Sequence, residues 1–531
     1  MTAGADNSMN KNGLGLGFGS AKARIKAFAL ILARMLVKIL GLRTVQVLIG
    51  LLVLTGVVIQ IVEMEDRAAG MNKAYFSPYN MASDIDKPFF EGCVDTEEYK
   101  RDPEYERQNA TFVMLTRNEE IKGVVHTIRS VERHFNQWFE YPYVLLNDKP
   151  FTQEFQDQVR SLTNAQVTFG TVDESQWNFE NEDTDEFREY VESQGDRGIM
   201  YGNMVSYHKM CRFYSGMFYK HPAVQQHEWY WRIEPDVEFF CDLTYDPFLE
   251  MKRSGKKYGF TMFIKELYWA VPNLFRATKA FIREREAQAQ AQAQGQGNSK
   301  VGSLWKVFVQ DYNVLPEDEY LNKFANYPAE AAEEIRHEDT IASLKQRWQR
   351  DGTIDDQLVE ELLFRAQRKV PVIEDKFEQE EFNLCHFWSN FEIARVDVFD
   401  NDIYDAYFQY LDRWGGFWKE RWGDAPVHSL GLGLTLDLQD VHYFRDIGYQ
   451  HSTLVHCPFN KKGHQLPYKG TPDTRDTVFT NIFYRKSESS HTSDTGSGCR
   501  CRCPTGRDVE DNAYYCLVQW FDYVFPLPND T

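Results

Sequence analysis

From Thr111 onward the chain alternates short uncharged runs with longer amphipathic stretches, and no other feature restricts its fold as much. TFVMLT ends at Arg117-Asn118 and leads into IKGVVHTIRSVERHF; YPYVLL ends at Asn147-Asp148 and leads into FTQEFQDQVRSL; QVTFGTV follows. Apolar runs without alternation belong to strands covered on both faces, and the stretches between them are the crossover helices of parallel pairing. The spacing predicts an α/β fold with a mainly parallel sheet covered by helices on both faces. The pattern continues through the helical YGNMVSYHKMCRFYSGMFY and the strands WYWRIEPDVEFF and KYGFTMFI, and it resumes from Asn383 to about Cys457. Between these blocks lies AQAQAQAQGQGN, residues 287–298. It reads as a solvated insertion, although Ala-Gln repeats also extend helices.

Ahead of the α/β pattern, Val45 to Val62 contains no charged residue and is close to the length that spans a bilayer. Arg24, Lys26, Arg34, Lys38 and Arg43 precede it, and Glu63, Glu65 and Asp66 follow. The positive-inside bias leaves the N-terminus cytosolic and sends the remainder across the membrane. A cleaved signal peptide is the competing reading, but its apolar region is shorter and ends in small residues rather than in VEMEDR. The expected organisation is a cytosolic tail with an amphipathic basic segment (1–44), a transmembrane signal anchor (45–62), a lumenal stem (63–107), a catalytic domain (108–485) and a Ser/Thr- and Cys-rich tail (486–531). The net charge of −20, with no basic stripe in the body of the chain, argues against nucleic acid as a partner.

Lumenal placement makes Cys93, Cys211, Cys241, Cys385, Cys457, Cys499, Cys501, Cys503 and Cys516 disulfide candidates first. The C-x-C spacing of 499–503 departs from the C-x-x-C of zinc sites. Nine is odd, so at least one thiol is free or paired between chains. The sequons Asn109-Ala-Thr111 and Asn529-Asp-Thr531 fit a secretory route, though Asn109 stands at a strand start.

Four constellations carry chemistry. Arg117-Asn118 lies just past the first strand, where open α/β sheets bind ligands and an Arg can hold a diphosphate; the same pattern serves a surface salt bridge. Ile233-Glu234-Pro235-Asp236-Val237 sets two carboxylates between apolar runs, costly without partners, which a hard divalent cation would supply. Pro235 marks a strand end or bulge. In Cys385-His386-Phe387-Trp388-Ser389-Asn390-Phe391-Glu392, the Glu reads equally as a nucleophile or base and as a structural acid. Trp422-Gly423-Asp424-Ala425-Pro426-Val427-His428, with His442 and His451, offers groups for a metal or an acceptor hydroxyl.

NATFVMLTRNEE, SYHKMCRFYSG, YWRIEPDVEFFCDL, NLCHFWSNFEI, RWGDAPVHSLGL and VHYFRDIGYQH together resemble, in order, the fungal Golgi α-1,2-mannosyltransferases of glycosyltransferase family 15. The resemblance spans roughly Asn109 to Cys457. It implies a GT-A-like domain (a Rossmann-related, mixed but mainly parallel sheet flanked by helices), Mn²⁺ as cofactor, GDP-mannose as donor and transfer, with retention, to α-mannoside termini of a mannosylated N- or O-linked glycoprotein. It implies a single-pass type II enzyme in the Golgi membrane. Glu234 matches the metal-site carboxylate with Asp236 nearby. His451 matches the late metal-ligand histidine, with His442 the second choice. Tyr207 matches a tyrosine at the donor site, Arg117, Asp236 and Asp424 are assigned to the donor, and Glu392 matches the proposed nucleophile. The alternative is a non-catalytic membrane-anchored glycan-binding or scaffold protein on the same fold. Retention of Glu234, Glu392 and His451 together weighs against it. A transferase of another nucleotide sugar would share the metal site and differ in its base and sugar pockets.

Overall fold

The computed structural model describes residues 89, 93–292, 301–311, 380–458, 460–461, 465–471, 492–493, 496–504 and 515–524. The chain divides into a unit over Met1–Lys73 and a second over Ala74–Thr531, and the described residues belong to the second. The expected leader and anchor, and the stem up to residue 88, lie outside the described residues. Among the described residues no helix is long and apolar enough to cross a membrane.

The uncharged runs become β1 (Ala110–Leu115), β2 (Tyr143–Asn147), β3 (Val167–Thr171), β4 (Trp229–Arg232), β5 (Glu238–Phe239), β6 (Tyr258–Phe260) and β7 (Phe263–Lys265). There follow β8 (Val309–Asp311), β9 (Glu380–Phe382), β10 (Cys385–Phe387), β11 (Glu392–Arg395), β12 (Val441–Tyr443), β13 (Tyr449–His451) and β14 (Leu454–His456). One sheet has the order β12-β6-β11-β4-β1-β2-β3. Its pairs are parallel except where β11 runs antiparallel to β4 and β6.

The helices that position the site are α1 (Ile121–Val131), α2 (Gln153–Arg160), α3 (Asp185–Asp196), α4 (Val205–Gly216), α5 (Leu274–Gln292), α6 (Asp402–Trp414), α7 (Asp424–Thr435) and α8 (Tyr515–Val524). α3 and α6, which the apolar pattern did not single out, begin at side-chain caps from Thr184 and Asn401. α5 continues into the Ala-Gln tract as far as Gln292, so that part of the tract extends a helix.

The expectation of one strand over WYWRIEPDVEFF is corrected: β4 ends at Arg232 and β5 joins a different sheet, of order β14-β13-β5. Pro235 has no N–H to give a ladder, and Asp236 takes φ 61°, a left-handed conformation incompatible with a continuing strand. The Asp236 N–H donates instead to the Gly123 carbonyl in α1 at 3.2 Å.

The pleat of each strand deals its side chains to two apolar layers. Phe112, Tyr143, Trp231 and Ile393 enter one layer, beneath α1 and α2. Val113, Val144, Tyr230 and Ala394 enter the other, with residues of α4, α6 and α7. Phe112 stacks on Tyr143 with centroids 4.8 Å apart, so part of the aromatic content is cross-strand packing.

Four disulfides join Cys93–Cys499, Cys241–Cys501, Cys385–Cys516 and Cys457–Cys503. The C-x-C thiols are thus consumed in disulfides, and Cys211 is the buried free thiol. Trp520 and Phe521 of α8 are buried in the layer that holds Tyr230, so the C-terminal segment completes the core. Removing the crosslink that fastens α8, with Cys385→Ala and Cys516→Ala together, is expected to lower the unfolding free energy by about 2–5 kcal/mol. Urea unfolding in non-reducing buffer measures it. An unchanged midpoint would mean that packing of Trp520 alone holds the helix.

Candidate active site

The period of two along β4 sends Trp229 and Trp231 to one layer and Tyr230 and Arg232 to the other. Arg232 thereby becomes a guanidinium with a side chain only 2% exposed. It lies over the Tyr214 ring, 3.4 Å from the centroid, and donates to Glu234 Oε1 and Asp424 Oδ2, each at 2.5 Å. A buried cation survives when paired and hydrogen-bonded, and Arg232 is both. Ser389 adds a hydroxyl donated to Asp424 Oδ2 at 2.7 Å. The strand, the turn beyond it and the first residue of α7 are therefore tied at one charge.

Glu234 stands just past the carboxyl end of β4. Antiparallel pairing of β5 with β13 (Tyr449 with Phe239, Gln450 with Glu238) brings His451 back over the same turn. Its Nε2 lies 3.3 Å from Glu234 Oε2. Asn390 approaches the other ring nitrogen at 3.3 Å, and Trp388 packs edge-on at 5.0 Å. Burial by itself raises a carboxyl pKa, but Arg232 and then His451 outweigh it and hold Glu234 at about 2. Asp424 is likewise held below the usual carboxylate range, because Arg232 overcomes the effect of burial.

The pair fits a divalent cation by donor type and spacing. Adjacent donors around an octahedral ion with bonds near 2.1 Å stand about 3 Å apart, comparable with the separation seen here. Carboxylate oxygen with imidazole nitrogen suits a first-row ion such as Mn²⁺. Among the described residues no group of three or more His, Cys, Asp and Glu is arranged to hold a metal ion.

A cavity of about 220 Å³ opens beside this turn, lined by Thr116, Arg117, Asn147, Asp148, Tyr207, Tyr214 and Glu234. A second, of about 460 Å³, shares Arg117, Asn147, Asp148 and Ser206 with it and adds Lys149 and Lys209. The carboxyl ends of β1, β2 and β4 thus converge on one cleft, as open α/β sheets do at their ligand sites. Arg117 lines both cavities, is largely exposed, and pairs with Glu120 at 2.8 Å. Tyr207 stacks on Tyr201 at 4.8 Å and accepts a hydrogen bond from Arg421 at 3.3 Å. Arg421 is buried and paired with Glu266 at 3.1 Å.

The structure does not bring every expected residue into the cleft. The Asp236 carboxylate lies against Gly123, where a Cβ would come within 2.8 Å of it, and does not line the cavity with Glu234. The left-handed residue 236 turns it away. His442 sits on β12 and stacks on Phe89 at 3.6 Å, whereas His451 faces Glu234. Glu392 is 0% exposed: Tyr230 donates to Oε1 at 2.8 Å, Tyr258 to Oε2 at 3.1 Å, and His428 Nδ1 lies 3.2 Å from Oε2. It pairs in register with Arg232 across β11 and β4, which places it in the layer beneath the charged turn. Sequence reasoning passed over Arg232, Arg421 and Glu266. A lone Arg in the apolar run WYWR was the available signal, since an unpaired cation there is untenable.

A family model described as glycolipid 2-alpha-mannosyltransferase matches residues 72–314 and 334–466. The probable mannosyltransferase KTR7 of Saccharomyces cerevisiae is 51% identical over 456 residues, 85% of this chain and 83% of the relative. The solved structure of core-mannan synthase A (CmsA/Ktr4) from Aspergillus fumigatus, a Mn/GDP form, matches with TM-score 0.52 and 29% identity, covering 82% of this chain and 93% of that one. That of the S. cerevisiae mannosyltransferase Ktr4p in complex with GDP matches with TM-score 0.52 and 25% identity, covering 86% and 96%. The fold is accordingly GT-A-like.

The depressed pKa of Glu234 makes an acid-sensitive contribution to stability. Because the folded value lies below the ordinary 4.5, the contribution is present above that pH and is lost as pH falls toward about 2. It amounts to at most about 3 kcal/mol. In the metal-free protein, Glu234→Gln is expected to lower stability at neutral pH and to flatten the decline below about pH 5. Urea midpoints across that range check this, and an unaltered slope would contradict the assignment.

Proposed function

We propose, for a chain that belongs to the glycolipid 2-alpha-mannosyltransferase family and is a mannosyltransferase, that the donor is GDP-mannose and the cofactor Mn²⁺. The product is an α-1,2-linked mannose added with retention to α-mannoside termini of N- or O-linked glycans. The observation that carries this reading is the meeting of Glu234 and His451, remote in sequence, at 3.3 Å beside the cleft. The Mn/GDP form of core-mannan synthase A and the GDP complex of Ktr4p support the choice of nucleotide and metal.

Glu234 and His451 would hold the metal, which when bound acts as a Lewis acid on the diphosphate leaving group. Arg117, exposed at the cleft mouth, is free to exchange Glu120 for a phosphate, since a surface pair of this kind is worth little. Tyr207 presents its ring to the donor from the cleft wall, held by Arg421. Asp424 acts on the donor through Arg232, whose orientation it sets. Asp236 acts through the turn that aims Glu234, its N–H anchored to Gly123. Glu392 is the catalytic carboxylate in this reading. It attacks C1 of mannose or stabilises an oxocarbenium-like centre from the opposite face, and either role requires the donor sugar to open the layer above it.

The location proposed is the Golgi membrane, as a single-pass type II protein with the catalytic domain lumenal. The charge asymmetry about residues 45–62 supports it, and four disulfides suit an oxidising lumen.

The test is mannose transfer from GDP-mannose to methyl α-mannoside by the detergent-solubilised full-length chain, with Mn²⁺ or with EDTA. Activity is expected with Mn²⁺ only, and Glu234→Ala and Glu392→Ala are each expected to lose at least about 100-fold while remaining folded. No transfer with any nucleotide sugar, from a folded protein, would favour a glycan-binding or scaffold role.

A further inference from the structure

The surroundings of His428 contain a constraint on protons. Its Nε2 lies 2.8 Å from the Tyr214 backbone carbonyl. A carbonyl oxygen only accepts, so Nε2 carries a hydrogen. A neutral imidazole would then turn a bare Nδ1 toward Glu392 Oε2 at 3.2 Å, lone pair against carboxylate. Both side chains are 0% exposed, so no bulk water relieves that contact.

One additional proton removes the conflict, and the neighbours indicate where it sits. Tyr230 and Tyr258 already donate to the two oxygens of Glu392, an arrangement that favours the anion. An imidazole is ordinarily the stronger base than a carboxylate, by about two pKa units. Asp424, on the same helix as His428, adds a negative charge nearby, and Arg232 acts on Glu392 from the adjoining strand. The ring's other packed neighbours, Phe218, Phe399 and Tyr404, bring no further charge.

We propose that His428 is an imidazolium at neutral pH and is the positioning residue of Glu392: it fixes the carboxylate's orientation and balances its charge within the core. The charge assignment stands on hydrogen-bond geometry together with the ordinary order of the two bases. Its kinetic consequence rests on the catalytic reading of Glu392 given above.

Magic-angle-spinning nitrogen NMR of the full chain, labelled at histidine ring nitrogens, reads the protonation directly at about pH 7.5, a unit above the ordinary imidazole pKa. A ring with both nitrogens protonated is expected in the wild type and is lost in His428→Asn. In Glu392→Gln the same ring becomes neutral with a bare Nδ1, because the amide can donate to it. His208 also lies between two carbonyl oxygens, those of Gly202 and Phe417, so assignment is by loss or change of the signal in either variant. If one variant fails to fold, the other still identifies the ring. A wild-type His428 ring bare at Nδ1 would overturn the proposal. In the transfer assay, His428→Gln is expected to lower kcat at least about tenfold with KM for the donor little changed. Should Glu392→Ala retain activity while the His428 ring is doubly protonated, the charge assignment survives and the catalytic reading of Glu392 fails.

Discussion

The Arg232 guanidinium, buried over Tyr214 and shared between Glu234 and Asp424, is the interaction on which the arrangement of the cleft depends. A charge this deep is tolerable only with its partners in place, and breaking such a group leaves an uncompensated ion. The three residues come from the end of β4, the turn after it and the start of α7. Their mutual need adds to the apolar packing a fixed geometry between those elements. Glu234 is thereby pinned by one oxygen to Arg232, and its other oxygen is left to face His451.

The second requirement is that the chain leave β4 and return. Pro235 and left-handed Asp236 stop the strand, and β5 then pairs with β13, which delivers His451. Disulfides reinforce this region: Cys241 follows β5 and is bonded to Cys501, and Cys457 follows β14 and is bonded to Cys503. The C-terminal cysteines therefore brace the small sheet that carries one member of the pair, while α8 closes the layer beneath Tyr230 and Glu392.

Much of this was legible in advance because it depends on local rules. Strands β1 to β3 and helices α1, α2 and α4 follow from apolar period and length, and the turn at 235 from proline's missing donor. Helix α3 was not singled out, because its only apolar buried residues are Phe187 and Val191; α6 was passed over although Tyr404, Tyr407, Phe408 and Leu411 recur there at helical spacing. The carboxylates and histidines of the site were recognisable as unusual residues in apolar settings. The resemblance already grouped Glu234 with His451; what local rules missed is that EPDVEF places Glu234 and Asp236 side by side while one left-handed residue sends them to different surroundings.

By itself, then, the sequence determined the class of sheet, the membership of a mannosyltransferase family and the residue types available for metal and donor. Periodicity, turn chemistry and short motifs are properties of neighbouring residues, and neighbours are what a sequence displays. Only the tertiary structure decided that His451 rather than His442 meets Glu234, that Arg232 holds Glu234 and Asp424 together, and that Glu392 is enclosed by Tyr230, Tyr258 and His428. These are contacts between strands and helices far apart along the chain. Strand register and the burial of charge select them, and both are settled only when the whole core closes.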